Sequence, residues 1–412
     1  MKIVELTNIQ FDEFAKFHPL NNYCQTSKYA LVMSEYGYNY EYIGFVDDNN
    51  NIKAASLILT KRITSGTKYG YAPKGFLINY YDQQLLKDFL ICLRRYYKKR
   101  NFIFIKFNPE IIIGETSKDK NFQMNYNGNV RLIDELKAMN VKRRLELQEF
   151  DLMQPKYNAY VNLNKYDFSK LNRNYRKKIR HALNKGLSLI LGGPKDIDIL
   201  YNFIKDKTSR PISYYRNIYN VFNRDNSIDL VMVKVDYQQY LENVRDIYAK
   251  EQLNNDNWNM IIQTDPRKKN LNAKIDSDKK LQGYKDEIIK ATAGLKKHKT
   301  EIIAAALVIK HFNRVSIFIS GFSKEHAHLN PNHFLYYSIL ERYKPYFNFC
   351  DMNGVTGNFT KDSAYYGLNE FKIKFNPTIY EFIGEFDLIV SDRIFKKLIK
   401  TSFIEDEFNK HK

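Results

Sequence analysis

The sequence predicts an α+β chain of two similar units, with a helical arm inserted into the second. Three observations carry this prediction. An order of elements (hairpin, strand, helix, strand) occurs twice; a polar stretch with coiled-coil spacing lies between strands of the second copy; and 412 residues, 44% of them hydrophobic, exceed one ordinary core and suit two or three domains.

The first copy opens at Tyr40 to Thr60, where two apolar-alternating runs flank Asp-Asp-Asn-Asn-Asn and read as a β-hairpin. Tyr69 to Ile78 reads as a strand broken by Pro73 and Gly75. Between Asp82 and Arg100, Leu85, Leu86, Phe89, Leu90, Leu93 and Tyr96 or Tyr97 fall on one helical face, and Phe102 to Phe107 follows as a buried strand. The second copy has a hairpin over Glu301 to Ile319 turning at Asn313, a helix over Pro331 to Tyr343 and a strand over Asn348 to Met352. The copies share order rather than identity.

Between them, Ser169 to Gly186 reads as a helix with Ser169 as its cap, a stripe of Leu171, Tyr175, Ile179 and Leu183, and Gly186 just past its end. Its other face carries Arg173, Arg176, Lys177 and Arg180, and no acid occurs from Phe168 to Lys195. A face of one sign suits an anionic partner better than mere solvation. From Asp236 to Lys299, Tyr237, Tyr240, Val244 and Ile247, then Leu281, Tyr284, Ile288, Ala291 and Leu295, alternate in steps of three and four. Two antiparallel helices turning near Thr264, with Asp265-Pro266 as cap and first position of the second, account for both halves. Self-association and substrate contact are equal readings of this arm. The units expected are 1–150, then 151–235 with 300–412, the arm being 236–299.

Composition limits the partners. A formal charge of +19, with 32 Tyr and 28 Phe, points to a polyanion: nucleic acid, an anionic membrane or a phosphorylated substrate. Cys24, Cys92 and Cys350 are too few and too scattered for a disulfide framework or a zinc site, and His181, His326, His328 and His333 lack a metal-binding pattern and read as polar loop residues. The N-terminus lacks an apolar core of signal-peptide length, and the most apolar run, Ile302 to Ile309, is too short to span a bilayer. A cytosolic protein, peripheral at most to a membrane, is expected.

The stretch from Phe349 to Phe386 is the most distinctive. It holds Asn353-Gly354-Val355-Thr356-Gly357, then Phe371-Lys372-Ile373-Lys374-Phe375, then Tyr380-Glu381-Phe382-Ile383-Gly384-Glu385-Phe386. With Gln25-Thr26, Tyr71-Ala72-Pro73-Lys74-Gly75, the basic helix, the arm and Ser320-Gly321-Phe322-Ser323, these segments resemble, in order, the FemABX family of aminoacyl-tRNA-dependent peptidoglycan-bridge transferases, particularly its FemA, FemB and MurN-like members. The resemblance implies two acetyltransferase-like (GNAT-like) units with a coiled-coil arm. It departs from the family at Met33, where some members carry lysine, and at Phe76 and Asn79.

The resemblance also implies a reaction: an amino acid passes from aminoacyl-tRNA, a co-substrate with no further cofactor, to the peptide amine of lipid II or its bridge-extended form. The ester is already activated, so the chemistry needs a held, uncharged amine and a cation near the oxyanion rather than a nucleophilic side chain. Lys372 matches the family's Phe-Lys lysine and is the expected catalytic cation, with Lys374 as the alternative two residues on. Tyr71, Arg210, Tyr214 and Tyr215 are the expected acceptor contacts. Arg173, Arg176, Lys177 and Arg180 are the expected contacts to tRNA phosphates, or to an anionic membrane surface at the inner face. Monomer and homodimer both remain open. An acyl-CoA acetyltransferase would need a glycine-rich pyrophosphate loop, and Gly192-Gly193-Pro194 lacks its arginine and following glycine. A non-catalytic RNA-binding protein explains the charge but not the ordered C-terminal segments.

Overall fold

Apolar alternation and turn chemistry place the strands, and the pairing between them builds two sheets. The computed structural model describes residues 1–64, 66–146, 148–150 and 152–399. The chain begins with four antiparallel strands, β1 (Lys2–Glu5), β2 (Asn39–Val46), β3 (Ile52–Thr64) and β4 (Thr67–Ala72). Helices α1 (Asn8–Phe17) and α2 (Ser27–Ser34) link β1 to β2, and α3 (Gln83–Lys98) returns the chain to β5 (Phe102–Phe107), parallel to β4. Asp82 caps α3 by accepting the Leu85 N–H at 3.0 Å, and Leu86, Phe89, Leu90, Leu93 and Tyr97 form its buried face.

The next elements are β6 (Ile112–Thr116), β7 (Asn125–Tyr126), α4 (Arg131–Ala138), β8 (Val141–Arg144) and β9 (Tyr157–Asn162). The order of the first part then repeats. Helix α5 (Arg173–Asn184) leads to β10 (Leu187–Gly192), helices α6 (Ile197–Ile204) and α7 (Ile212–Asn223), and β11 (Ile228–Asp236). After the paired helices α8 (Tyr237–Thr264) and α9 (Lys268–Lys297) come β12 (Thr300–His311), β13 (Arg314–Phe322), α10 (Pro331–Tyr343) and β14 (Phe349–Val355). The C-terminal part adds α11 (Tyr366–Ile373), β15 (Thr378–Phe382), β16 (Glu385–Ile389) and α12 (Asp392–Ile399).

The first sheet has the order β1-β2-β3-β4-β5-β16-β8, and the second β10-β11-β12-β13-β14-β9-β15-β6-β7. Five strands therefore recur in the same order and sense, three antiparallel pairs followed by one parallel pair. The counterpart of the β2–β3 hairpin is β11–β12, not the β12–β13 hairpin that element order suggested. The arm stands where the first unit has a tight turn, in which the Asp47 carboxylate accepts the Asn49 and Asn51 N–H groups.

The sheets also exchange strands. β6 and β7 join the second sheet, while β16 crosses back to lie between β5 and β8. The crossing point is Gly384, at φ +98, which only glycine adopts freely. On one side Glu381 takes a salt bridge from Lys156 at 2.9 Å; on the other Glu385 and Asp387 enclose the fully buried Lys106, each 2.8 Å from its Nζ.

Local readings shift at three points. Asn172, not Ser169, caps α5, accepting the Asn174 N–H, because Ser169 lies in a preceding 3-10 turn. Leu183 is exposed while Ala182 takes the inward position. Asp265 ends α8 rather than starting α9, its carboxylate held by Arg267.

Candidate functional site

The parallel pair β13–β14 opens into a wedge. Only Arg314 to Ser316 pair with Phe349 to Asp351, although β13 runs on to Phe322 and β14 to Val355. Against its other neighbour, β9, strand β14 shifts register between Asp351 and Gly354, and Asn353 sits at φ +67. The Asn353 side chain accepts the Gly354 N–H at 2.7 Å and donates to Phe318 O at 3.3 Å, reaching across the gap to β13.

Lys372 enters from α11. Its side chain is 5% exposed and its Nζ donates to Gly354 O at 2.7 Å. Burial lowers its pKa to about 8, with the Asp351 carboxylate pulling the other way. Asp351 is itself buried; burial and the Glu110 charge raise its pKa against the opposing pull of Arg314. It accepts from Asn158 Nδ2 at 3.1 Å and from the Asn353 N–H at 2.8 Å. An ammonium has three N–H donors. Among the described residues one of those on Lys372 is engaged by protein, at Gly354 beyond the β13–β14 pairing, so the group keeps donors for an incoming oxygen.

From this lysine a continuous path leads to two of the expected acceptor contacts. The Phe318 ring, whose carbonyl holds Asn353, stacks 6.3 Å from Tyr214, and the Arg210 guanidinium lies 4.1 Å over the Tyr214 ring. Tyr71 lies in the same apolar cluster as Tyr214 and Tyr215. It is buried, and its hydroxyl accepts from Asn108 Nδ2 at 3.3 Å. The Tyr215 hydroxyl is 2.8 Å from Thr208 Oγ1, which fixes the turn before α7.

The basic helix forms a separate surface. Tyr175 anchors α5 to α11 through a hydrogen bond from its hydroxyl to Phe371 O at 3.2 Å and an edge contact with Phe375 at 5.4 Å. Arg173, Lys177 and Arg180 face solvent, and the half-buried Arg176 has no hydrogen-bond partner for its Nε among the described residues. Arg173, Arg176, Lys177 and Arg180 line a concavity of about 440 Å³. An adjoining one of about 570 Å³ is lined by Lys177, Lys178, His181 and Lys374. Lys374 thus belongs to the basic face, paired with Glu370 and 5.8 Å from the Tyr175 ring. A step of two residues at a helix end turns a side chain by roughly 200°, so Lys372 and Lys374 serve opposite sides of α11.

His326 lies in the turn between β13 and α10, as a loop residue would, but not at the surface. It is buried, with Nε2 2.9 Å from the Tyr237 hydroxyl and Nδ1 2.8 Å from Ser323 Oγ, pinning the root of the arm. His333 packs between the Tyr175 and Phe371 rings, where burial lowers its pKa to about 4. The sequence alone assigns no site role to Asp351, Asn353 or Asn369. The asparagine beside Gly354 was the available signal for a left-handed turn, and Asn369 stands three residues before Lys372, on its face of the helix.

The FemAB family signature matches residues 6–400. This chain belongs to the FemAB family. As a member it is an enzyme, a transferase of the acyl type. It is 26% identical over 415 residues to a Lipid II:glycine glycyltransferase of Staphylococcus epidermidis, covering 96% of this chain and 94% of that protein. Against the protein of the same name from Staphylococcus aureus the identity is 24% over 411 residues, with the same coverage. The crystal structure of FemX superposes with a TM-score of 0.74 at 23% identity, covering 97% of this chain and 100% of FemX. FemAB membership and this shared fold agree with the architecture expected from the motifs. No helix among the described residues is long and apolar enough to cross a membrane.

Proposed function

We propose that this FemAB member transfers an amino acid from aminoacyl-tRNA to the peptide amine of lipid II or its bridge-extended form. The acceptor amine attacks the ester carbonyl as the free base, a C–N bond forms, and the C–O bond to the tRNA ribose breaks. The amine proton passes to solvent and the ribose oxygen leaves protonated. Lys372 is the cation assigned to the oxyanion and departing oxygen. The observation that carries this reading is a buried ammonium tied to the Gly354 carbonyl, on the stretch of β14 that lies beyond its short parallel pairing with β13. A pKa of about 8 keeps it mostly charged near neutrality yet able to give up a proton.

Arg210 and Tyr214 are assigned to the phosphorylated acceptor, and Tyr71 and Tyr215 to the walls that shape its pocket. The concave face of α5 is assigned to the tRNA backbone, which a row of guanidinium and ammonium groups would engage without reading sequence. Its charge also suits the anionic inner face of a membrane, where a lipid-linked acceptor would be presented and the protein would bind peripherally.

The test is to incubate the purified protein with lipid II, its bridge-extended forms and a mixed pool of charged tRNAs, then read product masses. The expected product is an acceptor heavier by one or more amino-acid residues, and only when the tRNA is charged. Modification by free or CoA-linked acyl groups, or none at all, would refute the proposal. In parallel, Lys177→Glu should weaken aminoacyl-tRNA binding and lower its log–log salt slope by about 1. An unchanged slope would move the tRNA contact elsewhere.

A further inference from the structure

Helix α11 holds the wedge loop at two points, and Lys372 is only one of them. Asn369 is one turn earlier on the same face, 1% exposed, with both ends of its amide engaged. Its Oδ1 accepts the Thr356 N–H at 3.2 Å, and its Nδ2 donates to Thr356 Oγ1 and to Asn358 O, both at 2.7 Å. Thr356 closes the loop on itself: its hydroxyl donates to Asn358 O at 3.0 Å and accepts the Asn358 N–H at 3.1 Å. Gly357, at φ +77, lies inside this loop with the Tyr157 ring where a Cβ would be. The segment that ends in this clamp begins at Gly354, whose carbonyl fixes the Lys372 ammonium.

We infer that Asn369 is a positioning residue for the transfer reaction, holding the 354–358 loop so that Gly354 O fixes the Lys372 ammonium. A primary amide suits the task because it donates and accepts at once in a buried site, which neither a carboxylate nor an aliphatic side chain does. The inference rests on the assignment of Lys372 made above.

The test compares wild type, Asn369→Ala, Asn369→Asp, Lys372→Met and the double variant Asn369→Ala/Lys372→Met in the lipid II transfer assay, with pH profiles. Asn369→Ala should lower kcat about tenfold or more while leaving KM for both substrates within about twofold. The alkaline limb of kcat/KM should move upward by about one pH unit as the loosened loop admits water to Lys372. Asn369→Asp, nearly isosteric and therefore the variant to use if the alanine protein fails to fold, should move that limb upward too by placing a carboxylate beside the ammonium. In the Lys372→Met background Asn369→Ala should cost no further activity, since it acts through that lysine.

A folded Asn369 variant with wild-type kcat and an unmoved limb would overturn the inference, as would an equal loss in both backgrounds. Failure of the Lys372 assignment is distinguishable: Lys372→Met would itself then transfer at the wild-type rate.

Discussion

Each half of the molecule has a parallel strand pair and a buried lysine, and the two halves treat them differently. In the first half β4 and β5 pair from Lys68 opposite Phe102, across one register shift before Gly70, and stay paired to their ends at Ala72 opposite Phe107. Beyond them the Asn108 side chain accepts the Lys74 N–H at 2.7 Å, so the ends are stapled together. The most buried lysine there, Lys106, lies between two carboxylates. In the second half the pair parts after three residues, and Lys372 donates to a carbonyl instead. One element order thus yields a strand pair kept closed beside a charge-compensated lysine, and a pair that parts early with a buried ammonium bonded to the strand beyond the split. On the proposed assignment, the difference separates a lysine that holds the fold from one that acts on substrate.

The largest effect should come from breaking the compensated site. Lys106→Met leaves Glu385 and Asp387 buried without their shared cation, which should cost about 3–5 kcal/mol and show as a large drop in the denaturation midpoint. Unchanged stability would mean that the first-half lysine is not structural.

The second effect is pH-dependent and belongs to Lys372. Its folded pKa is about 8 against an ordinary value of 10.5. Between those values the unfolded chain binds a proton that the folded chain does not, so stability rises with pH across the window. Below about 8 the full cost of burying the charge is present. Wild type should therefore gain about 3 kcal/mol relative to Lys372→Met as pH goes from 7.5 to 10.5, read from paired denaturation curves. A flat difference would show that the lysine is not desolvated. The smallest effect is at Lys374. Its half-exposed pair with Glu370 should contribute less than about 1 kcal/mol, and Lys374→Ala should keep near-normal turnover while only weakening RNA binding.

Much of this was legible in the sequence, for physical reasons that also mark the limit. The α3 face, the arm and the single-signed face of α5 are local periodicities, and a helix displays them whatever surrounds it. The segments at 353–357, 371–375 and 380–386 supported the family resemblance because they are contiguous. What stayed hidden depends on pairing across distance. Nothing near Glu385 signals that β16 joins a sheet whose neighbouring strand, β5, lies some 280 residues earlier. Nor does local pattern show that the arm replaces a turn. The lysine pair read as flanked by aromatics; only the helical setting of α11 sends Lys372 inward and Lys374 outward.

On the proposed assignment the opened half performs the transfer through Lys372. The most direct test of that assignment is the single-turnover rate of Lys372→Met with lipid II and aminoacyl-tRNA, measured alongside the melting temperature. Removing the buried charge relieves about 3 kcal/mol, while leaving Gly354 O unpaired costs about 1–3 kcal/mol, so the variant should fold and melt close to wild type. Its transfer rate should fall by about 100-fold or more. A folded Lys372→Met protein that transfers at the wild-type rate would contradict the account.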